Sequence, residues 1–328
     1  MYVVTGGAGF IGSNIVAALE ERGHSDVVVV DKLRNENKWR NIGKRELRDI
    51  VSPENIFDYL NHNQISIDGI IHMGAISSTM EKDADLIFKT NFSLSLSLWK
   101  WCAINQVPFI YASSAATYGD GSMGFEDDES IEYLSRLNPL NAYGWSKNLF
   151  DRRITRNIAN RKRVPPQWVG LKFFNVYGPN EYHKGVQKSV VSHVFDVAKD
   201  EKTFSLFRSH NPDYKDGEQM RDFVWVGDCV NVILWFLENR KVSGIFNIGS
   251  GEARSFLDLA SQVYKSLGQE AKIGFVDTPE SIRDKYQYYT KANISKLRKA
   301  GYDKPMTSLE DGVTEYVTKY LNASDQYR

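Results

Sequence analysis

Tyr143 and Lys147, four residues apart in Tyr143-Gly144-Trp145-Ser146-Lys147, carry the plainest chemical signal in the chain. On a helix, positions i and i+4 share a face. A free phenol ionises near pH ~10 and is a poor base at neutrality. A neighbouring ammonium favours the phenolate and lowers that value by roughly 1–3 units. Such a pair is suited to moving a proton on and off an alcohol. Ser114 stands upstream in Ala112-Ser113-Ser114-Ala115-Ala116-Thr117-Tyr118-Gly119, after an apolar run. Its hydroxyl suits an oxygen that alternates between alcohol and carbonyl. Alone, a Tyr-x-x-x-Lys spacing is commonplace and mostly structural, so its weight depends on what accompanies it.

A glycine loop accompanies it. Thr5-Gly6-Gly7-Ala8-Gly9-Phe10-Ile11-Gly12 sets Gly6, Gly9 and Gly12 three residues apart. Glycines there permit a tight turn and let backbone N–H groups approach a pyrophosphate, while the following helix start adds partial positive charge. The triplet by itself also fits an ordinary strand–helix turn. Here a β-rich run precedes it, a helical stretch follows, and Asp31 ends the next strand about 20 residues further on. An acid at that point accepts hydrogen bonds from adenosine ribose hydroxyls and favours NAD. Lys32, Arg34 and Lys38 follow at once. These cations either hold a 2′-phosphate, which favours NADP, or belong to a solvated charged loop. Lys147 also has the length to reach a nicotinamide ribose.

The elements that must position these groups alternate in kind. Tyr2–Thr5 reads as a buried strand, Ile11–Arg22 as a helix closed by Gly23, and Val27–Asp31 as a second strand. A weaker strand near Leu47–Val51 and another at Gly69–His72 follow. Next come a helix at about Leu86–Asn105, a strand at Pro108–Ser113 and a helix at Tyr143–Ile158. Trp168–Phe174 returns as a strand after the Val164-Pro165-Pro166 break. Alternation with near-continuous apolar strands implies an α/β fold, a Rossmann-type doubly wound parallel sheet covered on both faces. The second half differs. Val186–Lys199 and Val230–Glu238 look helical, Phe204–Phe207 and Gly244–Ile248 extended, and Asn211–Gly217 polar and turn-rich. Ser255–Leu267 and Ser308–Leu321 are amphipathic helices by spacing. The expected division is a dinucleotide-binding domain of residues 1–175 plus about 223–250. A smaller mixed substrate domain, 176–222 and 251–328, is interleaved with it.

A chain of 328 residues can bury a sizeable core without staples. Its 41 Lys and Arg balance 41 Asp and Glu, so no global field draws it to nucleic acid or an anionic membrane. An anionic ligand must then be held by local groups. Cys102 and Cys229 lie far apart without metal-ligand spacing, which argues against a disulfide framework or a metal site. The start shows no basic region followed by an apolar core, and no apolar run reaches ~20 residues. A soluble, cytoplasmic protein is expected.

Taken together, Thr5–Gly12, Ser113–Gly119, Tyr143–Lys147 and Phe174-Asn175-Val176-Tyr177-Gly178-Pro179 resemble the motif set of the extended short-chain dehydrogenase/reductase family, over essentially the whole chain. Its nucleotide-sugar members include epimerases, dehydratases and reductases. Asn175–Pro179 with Glu181 and His183-Lys184-Gly185, Arg221-Asp222-Phe223-Val224, Gly244-Ile245-Phe246-Asn247 and Gly301-Tyr302-Asp303-Lys304-Pro305 are similar to the branch acting at C6 of ADP-linked heptoses. The resemblance implies an NAD(P)-dependent isomerase that oxidises C6 of ADP-D-glycero-D-manno-heptose and returns the same hydride to the other face, with NADP the preferred cofactor and NAD possible. It implies a product destined for lipopolysaccharide core synthesis, and a homo-oligomer, a pentamer by the nearest likeness.

The residues carried over by resemblance are these. Tyr143, Lys147, Ser114 and Lys184 are catalytic, Lys184 as second acid/base or, alternatively, as a phosphate or ribose contact. Gly6, Gly9, Phe10, Ile11, Gly12, Asp31, Lys32, Lys38, Met73, Gly74, Ala75, Ile76, Ser77, Asn91, Lys147, Val176 and Lys184 contact the cofactor. Ser114, Asn175, His193, Phe207, Arg208, Ser209, Arg221 and Tyr286 contact the substrate, Arg221 by gripping a diphosphate. His193 reads equally as an ordinary helix histidine. The chain departs from the family at Met73, commonly glutamate, at Val186, where serine is expected, and at Pro53, in place of a lysine. A 4,6-dehydratase needs an Asp-Glu pair where Ala115-Ala116 stand, and alanine moves no proton. A UDP-hexose 4-epimerase keeps the same Ser-Tyr-Lys trio and stays open as the alternative. A non-catalytic dinucleotide sensor has no need of the tyrosine.

Overall fold

The computed structural model describes residues 1–34, 37–283 and 286–328. Seven strands form one sheet: β1 (Tyr2–Thr5), β2 (Val27–Val30), β3 (Asp49–Val51), β4 (Gly69–His72), β5 (Phe109–Ser114), β6 (Trp168–Phe173) and β7 (Gly244–Ile248). Their order is β7-β6-β5-β4-β1-β2-β3, and every pairing is parallel. The four valines of β2 show why these segments extend, since β-branched side chains restrict χ1 and pack well on a pleated surface. Alternate residues feed opposite faces. Val3, Val28 and Ile70 join a core with Leu98, Trp99 and Phe150, while Val4, Val29 and Ile71 join one with Ile15, Leu19 and Ile233. The expected doubly wound architecture is therefore present.

The main helices are α1 (Phe10–Glu21), α2 (Leu94–Asn105), α3 (Ala142–Ala159), α4 (Val190–Ala198), α5 (Val226–Glu238), α6 (Phe256–Ser266) and α7 (Leu309–Tyr316). The second half builds three two-stranded pairs: Asn175–Tyr177 with Phe223–Trp225, Phe204–Phe207 with Ile273–Val276, and Met220–Arg221 with Arg254–Ser255. A third core, including Tyr177, Val194, Trp225, Leu259 and Tyr316, lies among them. Strand β7 returns to the large sheet partway through this excursion, before Arg254–Ser255 and Ile273–Val276 complete their pairs.

Several boundaries differ from expectation for local reasons. The second strand ends at Val30, leaving Asp31 beyond the ladder, where its N–H still reaches the Val51 carbonyl at 3.1 Å. Val186–Lys199 is not one helix. Gly185 sits at φ +55°, a left-handed conformation that interrupts the 3₁₀ segment Tyr182–Gln187, and α4 starts only after Ser189 caps it. The helix expected from Leu86 begins at Ala84 and passes through a wider turn at Phe88–Ser93 before α2.

Candidate active site

In a doubly wound sheet the ligand crevice lies at the carboxyl ends of the strands, where the strand order reverses. Here that point falls between β1 and β4. A cleft of about 1120 Å³ opens there, walled by the glycine loop, residues 73–81, the Ser114 segment, Tyr143, Lys147 and residues 183–190.

The glycine loop is built by close contact. Gly6 has φ +65°, and a Cβ on it would lie 2.6 Å from the Gly74 nitrogen. A Cβ on Gly12 would collide with the Gly6 carbonyl. Only glycine lets the loop fold back on α1 while residues 73–77 press against it. No acid occupies the first turn of α1, so its free N–H groups and positive end face the cleft. The cradle thus fits a dinucleotide pyrophosphate. Asp31 accepts the Ala8 N–H at 2.9 Å and the Lys38 ammonium at 2.5 Å, and its side chain is almost wholly covered. Lys38 and Arg34 face the cleft, whereas Lys32 turns away to pair with Glu54. The expected Lys32 contact is corrected on that ground.

The catalytic wall is equally determined. Asn141 caps α3 by accepting the Gly144 N–H at 2.8 Å, which puts Tyr143 in the first turn. At Gly144 a Cβ would sit 2.5 Å from the Ala116 carbonyl, so glycine allows α3 to touch the turn that follows Ser114. The neighbouring Ser114 hydroxyl favours phenolate at Tyr143, but burial outweighs it and pushes the pKa of Tyr143 up. The expected lowering by Lys147 does not occur: its ammonium donates to the Ala112 carbonyl at 2.7 Å instead. Burial brings Lys147 down to about 8, opposed by the charge of Asp151. Asp151 itself, one turn further along α3, accepts from Tyr111 Oη (2.9 Å), Ser113 Oγ (2.7 Å) and the fully buried Lys172 Nζ (2.9 Å). Lys172 also donates to Thr117 Oγ1 at 2.7 Å. The network pins both ends of the Ser114 segment.

Behind residues 73–77 runs a directed hydrogen-bond chain. Gly74 N–H donates to Thr5 Oγ1 at 3.1 Å, and Thr5 in turn to His72 Nδ1 at 2.6 Å. Ser95 Oγ gives its proton to the Asn91 carbonyl at 2.6 Å, so His72 Nε2, 2.8 Å away, must be the protonated nitrogen. Burial first, and Lys147 second, hold His72 down to about 3, hence neutral. The Asn91 amide donates to the Ile76 carbonyl and to Ser146 Oγ, and Ser146 donates to the Tyr143 carbonyl at 2.7 Å. Asn91 is fully buried and all its amide atoms are used. It is therefore placed as a support of the Ile76 loop rather than as the direct cofactor contact expected.

Of the remaining expected cofactor positions, Gly6, Gly9, Phe10, Ile11, Gly12, Asp31, Lys38, Met73, Gly74, Ala75, Ile76, Ser77, Lys147, Val176 and Lys184 all line the cleft. Lys184 Nζ lies 5.4 Å over the Phe10 ring, and burial lowers its pKa against the charge of Glu181. Among substrate positions, Ser114 and Asn175 line it. Phe207, Arg208, Ser209, Arg221 and Tyr286 are not among its lining residues; Arg221 meets the wall through Phe256, and Tyr286 and Phe207 stack in turn beyond it. Arg221 is held between the rings of Phe256 (5.6 Å) and Tyr286 (5.4 Å), and Phe256 is part of the cleft wall. Arg208 is near Asp216 and Asp277, and Ser209 Oγ donates to the Asn211 carbonyl. His193 on α4 is 3.2 Å from the Val186 carbonyl. Residues for which no role was expected are Asp151, Lys172, His72, Glu181 and His183, the last two having entered only as motif residues. A lysine inside the otherwise apolar Trp168–Phe173 was the available signal for the first two, because a buried ammonium requires a partner. Among the described residues no metal-ligand cluster occurs, and no helix is long and apolar enough to cross a membrane.

A dinucleotide cradle and a Ser-Tyr-Lys wall define a class, and the family comparison agrees: residues 2–249 match the NAD dependent epimerase/dehydratase family, to which the chain belongs. More particular likenesses follow. The chain is 47% identical to ADP-L-glycero-D-manno-heptose-6-epimerase of Fusobacterium nucleatum and 48% identical to that of Nitratidesulfovibrio vulgaris, in each case with both chains covered completely. The crystal structure of the Helicobacter pylori ADP-L-glycero-D-manno-heptose-6-epimerase superposes with a TM-score of 0.78 at 28% identity, covering 97% of this chain and 95% of that one.

Proposed function

We propose that the protein inverts C6 of ADP-D-glycero-D-manno-heptose through a 6-keto intermediate, giving ADP-L-glycero-D-manno-heptose. The observation that carries this is the opening of two protonatable groups from different elements, Tyr143 beside Ser114 and Lys184 over Phe10, into one cleft with the glycine cradle. Inversion at one carbon needs an acid/base group for each orientation of the sugar. The glycine loop, Asp31, Lys38 and Lys147 would hold a nicotinamide dinucleotide, which would supply a hydride acceptor for C6 and a donor for its return. Lys184, whose ammonium is disfavoured by burial, accepts the hydroxyl proton in the oxidation half. Tyr143, which burial keeps as phenol, gives a proton to the ketone oxygen in the return half, with Ser114 aligned on that oxygen. In the reverse direction the two exchange roles. Lys147 anchors the cofactor ribose, and the Arg221 pocket takes the ADP diphosphate.

NADP is the cofactor we propose. Lys38 already neutralises Asp31, the acid that would otherwise repel a 2′-phosphate, and Arg34 stands with it on the cleft wall. The interleaved division at about residues 175, 222 and 250 belongs to the same proposal; the separate core of Val194, Leu259 and Tyr316 favours a second domain, and Phe223 and Trp225 pack into it from the segment assigned to the first. Incubation with ADP-D-glycero-D-manno-heptose in heavy water tests the reaction: the C6 epimers should interconvert without deuterium entering carbon. Solvent deuterium at C6 would refute hydride transfer.

A further inference from the structure

We propose that Glu181 is a positioning residue for Lys184, a buried carboxylate that ties the two ends of the lysine-bearing turn to each other and to α7. The inference rests on the proposed role of Lys184. Glu181 directly precedes the Tyr182–Gln187 segment and Ser189 closes it. The Glu181 side chain is fully buried. It accepts the Ser189 N–H at 2.6 Å, the Ser189 hydroxyl at 2.6 Å and the Tyr316 hydroxyl at 3.0 Å, while the Lys184 N–H donates to the Glu181 carbonyl at 3.0 Å. Burial pushes the Glu181 carboxyl up, and the three donors converging on it oppose that by favouring its ionised, acceptor-only form.

Between those ends the turn is tethered at Tyr182, whose hydroxyl donates to the Gln326 carbonyl at 2.7 Å, at His183, 3.2 Å from the Asn41 amide, and at the Val186 carbonyl, 3.2 Å from His193, while among the described residues nothing but the Phe10 ring meets the Lys184 ammonium. A Cβ at Gly185 would meet nothing within 4 Å, and Val186 is 91% exposed. Glu181 is the one fully buried acid among these tethers, and it joins the two ends of the turn directly. Lys184, Tyr182 and Tyr316 are the titratable groups around Glu181, and Glu181, His183 and the Phe10 ring surround Lys184. The carboxylate favours the ammonium form of Lys184, so its removal moves the Lys184 titration to lower pH.

Glu181→Gln in the full-length, cofactor-loaded enzyme tests this, with kcat and KM followed across pH and hydrogen exchange measured over residues 181–189. A group that sets a catalytic position within about 1 Å controls rate more than binding. The expected result is a roughly 10–100-fold fall in kcat with KM little changed. The limb governed by Lys184 should shift to lower pH, and exchange across the turn should be faster. A folded variant with wild-type kcat, pH profile and exchange would overturn the proposal, as would a lower melting temperature with those three unchanged. If Glu181→Gln does not fold, Tyr316→Phe removes a single donor and should lower kcat several-fold with faster exchange. No change there would equally overturn it. Lys184→Ala separates the two ideas: normal turnover would refute the second-base role, while exchange in Glu181→Gln still decides the clamp.

Discussion

Replacing Asp151 by asparagine should damage both stability and the pH response of the catalytic helix. Asp151 and Lys172 are both fully withdrawn from solvent, 2.9 Å apart, so no solvent-screening discount applies. Asparagine retains one acceptor oxygen for the donors Tyr111, Ser113 and Lys172 but leaves the ammonium uncompensated, with only Thr117 and the Tyr118 ring at 4.9 Å beside it. Removing one partner of a buried pair costs about 3–5 kcal/mol. In a chain of this size that corresponds to a midpoint lowered by roughly 4–7 °C. A second effect follows from the charge Asp151 exerts on Lys147, one turn earlier on α3. That charge raises the Lys147 pKa, so its loss lowers the value below about 8 and leaves less ammonium at pH 8. The limb that Lys147 governs should move to lower pH. Urea unfolding of wild type, Asp151→Asn and the Asp151→Leu/Lys172→Met double variant, alongside kcat against pH, measures both. The double variant, which buries no charge, should recover part of the loss. A single-variant cost under about 1 kcal/mol, or a double variant no more stable than the single, would refute the account given of this pair.

Tyr143→Phe keeps the ring and removes the exchangeable proton; kcat should fall roughly 10²–10⁴-fold while bound cofactor is retained, and substantial turnover would discredit Tyr143 as acid/base. Gly12→Ala drives a Cβ into the Gly6 carbonyl. The purified variant should lose its dinucleotide absorbance, and wild-type occupancy would contradict the cradle. Lys38→Met leaves Asp31 unneutralised and should reduce the ratio of NADP to NAD affinity by about 10–100-fold, one charged hydrogen bond's worth. An unchanged ratio in fluorescence titrations would count against the 2′-phosphate site.

Local pattern carried the large sheet. The β1, β4 and β7 strands and the Phe204–Phe207 strand stand where hydrophobic runs bounded by turn residues put them. The short pairs were not legible, because three residues such as Asn175–Tyr177 show no periodicity and their partner, Phe223–Trp225, lies far along the chain. The helix Ile56–Asn63, which has no side-chain cap, and the 3₁₀ turn Ala115–Tyr118, only four residues long, likewise escaped. At the site, motif residues marked the lining but not its support. The order Gly74, Thr5, His72, Ser95, Asn91 exists only once β1, β4 and α2 are packed together. The sign of the Tyr143 shift was also beyond the sequence: spacing placed an ammonium nearby, and only the fold shows it turned to Ala112 while burial dominates.

The late arrival of β7 bears on how the protein is made. Synthesis delivers β1 to β6 while the strand that flanks β6 is still unmade. Until residue 248 has left the ribosome, six buried-type residues of β6 border on open backbone N–H and C=O groups, an invitation to pair with a neighbouring chain. A nascent chain halted near residue 175 is therefore not a finished half-protein but a sticky precursor. Holdase chaperones should engage it most strongly in the interval between the emergence of Phe173 and that of Ile248.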